Sequence, residues 1–441
     1  MTSDEVPQQS ALKIIVVGAG IAGLLAARTL RGPGHEITIL EQASMKSEIG
    51  AAIHMAPNAT KILQRYGVEM LQLGAVPCRG LNEYDIKGDL KAEVRIDAKG
   101  VGGAEWTLNH RVDVHNALKV AALDPTAPGP VPVLRSEARV VDADCEAGKV
   151  TLADGEELTA DLVIGADGIH SAVRTAVLGE EREAERSGMC SFRCLVRRED
   201  VADIPEVASV MADPNNGVLM VIMTDFDERI IMYPCRNSTL MNVVGICPDI
   251  LNDNENESWN RKVSVPDVVA RFSGFGEWIL TVLSRAQEAG VWQLRHQTPL
   301  PTWVRGRAII IGDAAHAMLP HQGQGAAQAV EDGEALGVFF EDIRGPQTTE
   351  HVHAILQQIY DIRHERATTV QEYSLMLSKP KENGGYAKQV GCCAQAHVHL
   401  GRSANLNLHS ISKLFLPWNW RYEGARDWQH RQEARTAALK L

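Results

Sequence analysis

The sequence predicts an α/β protein: a parallel sheet interrupted by an inserted, mostly antiparallel sheet and followed by C-terminal helices. Three observations carry this prediction. Apolar, β-branched runs suited to strands buried on both faces stand far apart, at Ile14–Val17, Leu162–Gly165 and Arg307–Ile311. Strand-like segments of another kind fill the middle: Ser191–Val196, Val218–Thr224, Arg229–Tyr233 and Leu240–Cys247. Val352, Ile355, Ile359 and Ile362 then recur at helical spacing in a long helix, roughly Thr349 to Leu377.

The first parallel run opens a stretch, Lys13 to Glu41, that reads strand, glycine turn, helix, strand. Gly18, Gly20 and Gly23 have G-x-G-x-x-G spacing. The first permits a tight turn, the second lets the backbone approach a pyrophosphate, and the third lets the helix pack close to the sheet. The helix Ile21 to Leu30 offers free N–H groups to phosphate oxygens. Glu41 ends the second strand, placed to accept hydrogen bonds from ribose hydroxyls. The order points to a dinucleotide and leaves NAD and FAD both open.

The 441 residues leave room for two or three domains, and 45% hydrophobic with 23% charged residues is ordinary globular composition. Lys and Arg total 44 against 56 Asp and Glu, a net charge of -12, which argues against a nucleic-acid partner and against polybasic membrane binding. The eight cysteines show no paired C-x-x-C spacing, and the adjacent Cys392 and Cys393 suit neither a usual disulfide nor a metal cage. Reduced thiols, no metal and a cytoplasmic location are therefore expected. No run reaches the ~20 apolar residues of a membrane span. Ile14 to Ala27 is set apart from a signal-peptide core by its three glycines and by the polar, acidic start MTSDEVPQQS.

The remaining elements follow in order. A loop after Glu41 carries Gly50 and His54, and Pro57 opens a helix ending at Gly67. Leu81 to Asp97 reads as a hairpin, Gly100 to Gly103 as a loop, and Asn109 to Leu123 as a turn leading into a helix. Two short strands lie within Val131 to Val150, Asp154-Gly155 is a hairpin turn, and Ser171 caps a helix. Beyond the charged connector Glu180 to Arg186 lies the inserted sheet. Val265 to Glu288 is helical with a break near Gly274, Val291 to Leu294 is a strand, and Gln324 to Phe340 is a helix rich in small residues. Trp418, Trp420 and Trp428 anchor the tail. The expected nucleotide domain thus spans 10–80, 105–180 and 298–345. A second domain takes a hairpin at 81–104 and the sheet at 187–297, and a helical region covers 346–441.

Three glycine-centred motifs stand together: VVGAGIAG, DLVIGADGIHSAVR (Asp161 to Arg174) and IIIGDAAHAMLPHQGQG (Ile309 to Gly325). In this order the trio resembles the FAD-dependent aromatic hydroxylases, single-component flavoprotein monooxygenases that include p-hydroxybenzoate hydroxylase and salicylate hydroxylase. The likeness runs from about residue 12 to 378. EIGAAIHMAPNA and YPCR look most like fungal salicylate-hydroxylase-like enzymes of aromatic or secondary metabolism.

The resemblance implies a Rossmann-like FAD-binding domain. Gly18, Gly20 and Gly23 would hold the pyrophosphate and Glu41 the adenosine ribose. Gly50, Ala51, Arg111, Gly312, Asp313, Gly323, Gly325 and Ala326 would be further cofactor-binding positions, and Asp167 would line the route of FAD and the nicotinamide donor. Pro320 and His321 would belong to the substrate pocket. NADH or NADPH would reduce the flavin, and O2 would give a flavin hydroperoxide that hydroxylates a small phenolic aromatic. A flavin that moves between two positions would need no separate nicotinamide domain. Arg193, Tyr233 and His54 are the candidates for activating the substrate, Arg193 either facing the pocket or held in a structural salt bridge. The alternatives are oxygenation of an indole or other non-phenolic ring, a flavin halogenase, or a non-catalytic flavoprotein. Against halogenation, Trp418 and Trp420 lack the glycine and Ile-Pro that flank the halogenase W-x-W. A monomer or homodimer is expected.

Overall fold

The computed structural model describes residues 12–32, 34–44, 52–223, 228–250, 260–378 and 415–439. The chain opens with β1 (Lys13–Val17), α1 (Ile21–Leu30) and β2 (Glu36–Leu40). It continues through β3 (Ala52–Met55), α2 (Pro57–Arg65), β4 (Val76–Tyr84), β5 (Leu90–Arg95), α3 (Ala98–Gly102), β6 (Thr107–His110) and α4 (Arg111–Leu123). Next come β7 (Val133–Arg135), a meander of β8 (Val140–Asp144), β9 (Lys149–Leu152) and β10 (Glu157–Thr159), then β11 (Leu162–Gly165) and α5 (Ala172–Leu178).

The inserted part holds β12 (Glu185–Arg197), α6 (Pro205–Met211), β13 (Gly217–Met223), β14 (Arg229–Cys235), β15 (Leu240–Pro248), β16 (Asn260–Val263), α7 (Val265–Arg271), α8 (Glu277–Ser284) and β17 (Ala289–His296). The chain returns with β18 (Val304–Arg305), β19 (Ala308–Ile310), α9 (Asp313–His316), α10 (Gly325–Phe339) and α11 (Thr349–Met376). A helical segment at 415–420 and α12 (Ala425–Leu439) form the tail.

The first sheet has the order β18-β19-β11-β1-β2-β7. β1 lies between β2 and β11, both parallel to it, with Ile14 opposite Ile37 and Leu162; β19 continues the parallel set, Ile164 opposite Ile309. Three apolar runs from distant parts of the chain thus stand side by side, buried on both faces. α1 packs on α10, where Thr29 donates to the Gly333 carbonyl at 2.8 Å and a side chain on Gly337 would press into Thr29.

The second sheet runs β16-β17-β12-β15-β14-β13-β4-β6-β3, with β5 on β4. It is mostly antiparallel, β13 and β4 being parallel. Its period of two decides what faces what. Phe192, Cys194 and Val196 of β12 pack with Phe272, Ile279 and Val282 in one core. Ser191 and Arg193 are thereby turned to the opposite face.

Several stretches differ from the sequence expectation, among them Asn109, which lies in strand β6 and not in a turn. His54 lies on a strand, not in a loop: β3 pairs antiparallel with β6, His54 opposite Leu108. Four residues have little strand signal of their own, and a partner some fifty positions away supplies the hydrogen bonds. The stretch around Gly100 is the short helix α3, because Asp97 accepts from the Gly100 amide at 2.8 Å and caps its start. The inserted part also holds a helix that was not anticipated, α6, with Pro205 in its first turn.

Candidate functional site

The glycine loop comes first. Gly18 has φ +101°, and a Cβ there would sit 2.3 Å from the Ala166 carbonyl, so the loops after β1 and β11 cross at contact distance. A Cβ on Gly23 would meet the Gly18 carbonyl at 2.0 Å. Gly20 has nothing within 4 Å, leaving bare backbone at the N-cap of α1 where a phosphate can approach. Glu41 braces this loop, accepting from the Ala19 amide at 2.8 Å and the Ala43 amide at 2.7 Å. A carboxylate has about four lone-pair sites, so acceptor capacity is left over.

The far end of the cleft follows β19. Gly312 has φ +58°, and its amide donates to Asp332 Oδ2 at 2.9 Å. His316 Nε2 meets the same oxygen at 2.6 Å, and Arg363 Nε donates to Oδ1 at 2.9 Å. Glu331 beside it accepts from Arg363, from Arg366 Nε at 2.6 Å and from Asn58 at 2.8 Å. All four charged residues are at most 1% exposed. Burial works to raise the Asp332 pKa, but His316 and Arg363 outweigh it and hold it near 2. On the outer side Arg366 is boxed by Trp418 at 4.8 Å and Tyr422 at 4.2 Å and donates to the Asn419 carbonyl at 3.0 Å. Sequence reasoning missed this network. Its signal was the pair Glu331-Asp332 inside a helix of small residues, facing arginines three apart on the next helix.

Asp313, at the start of α9, is solvent-accessible yet ringed by protein, as a side chain lining a cleft must be. Burial raises its pKa, while His316 and Arg111 favour the carboxylate. Arg111 is the first residue of α4 and also bears on Arg193. It thus links the glycine-rich cleft to the second sheet.

On that sheet Ser191 and Arg193 of β12 share a face with Val244 and Asn242 of β15, Ile231 and Tyr233 of β14 and Trp292 of β17. Arg193 Nε donates to Ser191 Oγ at 3.3 Å, and the guanidinium lies 5.1 Å from the Trp292 ring centroid. Burial lowers its pKa, and no carboxylate pairs with it among the described residues. Burial also raises the Tyr233 pKa, so the phenol stays protonated.

His321 lies in the turn Pro320–Gln322 and accepts from Arg229; burial and that arginine lower its pKa to about 3, so it is neutral. Pro320 beside it is exposed. His54 Nδ1 accepts from Trp106 Nε1 at 3.0 Å, and burial lowers its pKa to about 4. Gly323 has φ +58°, and a Cβ there would fall 1.8 Å from His54 Nε2. Gly325 and Ala326 form the first turn of α10. Asp167 has both oxygens engaged at the start of α5, accepting from Ser171 Oγ at 2.5 Å and the Val173 amide at 3.2 Å. Gly50 and Ala51 lie outside the described residues.

The structure therefore brings Arg111, Asp313, His54 and Gly323 toward the face that carries Arg193 and Tyr233. A separate cavity of about 880 Å³ between α1, α2 and α4, lined by Arg28, Tyr66, Asp113, Val120 and Arg236, holds none of the expected site residues. Among the described residues no helix is long and apolar enough to cross a membrane, and no cluster of three or more metal-ligating side chains occurs.

Comparison with known proteins agrees with this geometry. The family model for an FAD binding domain matches residues 11–371. The chain is 34% identical to the FAD-dependent monooxygenase cfoG of Aspergillus candidus over 83% of its own length and 85% of that protein. It is 33% identical to hispidin-3-hydroxylase of Neonothopanus nambi, covering 81% and 87%. A salicylate hydroxylase substrate complex superposes with TM-score 0.69 at 25% identity, covering 92% of this chain and 98% of the other. The open backbone at Gly20, the left-handed Gly312 and the cleft-lining Asp313 suit the group that this family carries. The chain belongs to the FAD-dependent aromatic hydroxylases and is an FAD-dependent monooxygenase.

Proposed function

We propose that the enzyme uses NADH or NADPH and O2 to hydroxylate a small phenolic aromatic compound, in fungal aromatic or secondary metabolism. The observation that carries this reading is Arg193: a guanidinium over the Trp292 ring and bonded to Ser191, without a carboxylate partner among the described residues. A cation placed there favours a phenolate over a phenol, and the relatives named for hispidin and salicylate point the same way. Bound FAD supplies the electron transfer and oxygen activation. The chain's own residues bind and orient. Gly18, Gly20, Gly23 and Glu41 hold the adenosine end, and Arg111, Asp313 and the start of α10 hold the flavin end. Arg193 neutralises the substrate oxygen and Tyr233 donates a hydrogen bond from its phenol. Ile231, Val244 and Leu319 exclude water from the same face. The nucleotide domain is the three-segment unit read from the sequence, the second sheet carries the substrate, and the enzyme works in the cytoplasm as a monomer or homodimer.

The test is a panel of phenols, salicylates and indoles offered with NADH or NADPH, reading product mass. Gain of one oxygen on a phenolic compound is the expected result. Oxygen transfer to an indole alone, or nicotinamide oxidation giving only peroxide across the panel, would overturn it.

A further inference from the structure

We propose that Trp106 is a positioning residue: it fixes His54 as a neutral imidazole with its proton on Nε2, so that His54 meets a ligand as a hydrogen-bond donor and not as a base. The proposal rests on the reading of His54 as part of the site.

The argument starts from donor chemistry. An indole N–H only donates. Trp106 Nε1 lies 3.0 Å from His54 Nδ1, with the rings edge to face at 5.4 Å between centroids and 76° between planes. His54 Nδ1 must therefore present its lone pair. A neutral imidazole carries one N–H, which is then on Nε2. Adding a proton at Nδ1 would set N–H against N–H and break the bond. The geometry alone thus selects one tautomer and disfavours the imidazolium.

The surroundings offer the cation no relief. Arg111 follows β6, His321 stands in the turn before Gly323, and burial lowers the His54 pKa. The other nitrogen, Nε2, abuts Gly323, the glycine just before α10. An N–H fixed there suits an oxygen that carries negative charge, such as a phenolate. It has no lone pair with which to take a proton.

Trp106 is itself held. It is 8% exposed, packs with Val76, Leu108 and Tyr233, and meets the Trp420 ring at 5.6 Å. The 415–420 segment thereby buttresses the indole that orients His54.

The experiment is nitrogen NMR on the FAD-loaded full chain labelled with 15N-histidine, using His54→Gln to assign the His54 signals. In the wild type, Nδ1 should show an imine-type shift and Nε2 a pyrrole-type shift, unchanged from about pH 5 to 8. In Trp106→Phe the two shifts should move toward each other as tautomers mix, and a titration should appear nearer the ordinary value of about 6.5. The kcat profile should gain an ionisation with the same midpoint. Trp420→Leu, which leaves the indole N–H in place, should move the shifts less. A wild-type proton on Nδ1, or Trp106→Phe shifts equal to wild type, would overturn the proposal. The wild-type spectrum needs no variant to fold and no turnover, so it stands apart from the substrate panel. A locked tautomer with undiminished hydroxylation in His54→Leu, which cannot donate, would overturn the donor role.

Discussion

Two sets of charges sit in this protein under opposite rules. Behind the Gly312 loop, Glu331, Asp332, Arg363 and Arg366 are buried and every charge is matched by an opposite one. On the second sheet, Arg193 is half-buried, stacked on Trp292, and has no such match among the described residues. The first set can only hold structure, because its charges are already answered. The second keeps a charge in reserve at the cost of desolvation, which is what a binding site for an anion requires. Removing one member of the first set should therefore cost stability, while removing Arg193 should cost activity and leave the fold intact.

The largest effect is expected at Asp332. Asp332→Ala strands the buried Gly312 amide and His316 Nε2 and leaves Arg363 with Glu331 as its one remaining carboxylate among the described residues, a loss of about 3–5 kcal/mol. Thermal melting should show it, together with loss of bound FAD; a melting temperature unchanged from wild type would dissolve the contrast. Asp313→Ala comes next. It removes an acceptor from the cleft without breaking an ion pair, so the protein should purify without FAD yet unfold near the wild-type temperature, a loss of cofactor binding on the order of 3 kcal/mol. Visible absorbance and melting read the two separately.

Arg193→Ala should keep its FAD and lose about a hundredfold in kcat/KM for hydroxylation, near 2.7 kcal/mol. Unchanged turnover would remove Arg193 from the site. Acid should act more mildly. His54 and His321 have folded pKa values of about 4 and 3, below the ordinary 6.5, so the unfolded chain binds protons more readily. Stability should thus be full above about pH 6.5 and fall progressively below it toward pH 4. Denaturant midpoints at several pH values measure it. The smallest change is Trp292→Leu, which removes a cation–π contact of about 0.5–1 kcal/mol. A severalfold rise in KM with little change in kcat would mark Trp292 as the support of Arg193.

The parallel sheet was legible because its information is local. Ile14–Val17 needs burial on both faces, and Gly23 answers a contact with the Gly18 carbonyl in the same turn. The strand of His54 was not legible, since β3 exists only by pairing with β6. The ion network was hidden because Glu331-Asp332 in a helix reads as a solvated face until Arg363 and Arg366 are seen opposite. Trp292 and Trp106 carried no signal in the sequence; their partners, a guanidinium and an imidazole, come from other strands. Gly18, Gly20 and Gly23 were proposed from spacing and the positions around Gly312 from the family resemblance, whereas the residues that orient their neighbours carried no such signal.

The interleaved first sheet has a consequence for biosynthesis. β1 emerges early, but its neighbour β11 begins at Leu162, and the Gly312 loop that completes the cleft is held by arginines of α11. A chain leaving the ribosome must therefore carry an unfinished sheet edge while the whole second sheet is made. Cofactor capture is a late event that closes three separated segments at once, and slow, non-local pairing of this kind favours low expression temperature and ample flavin during production.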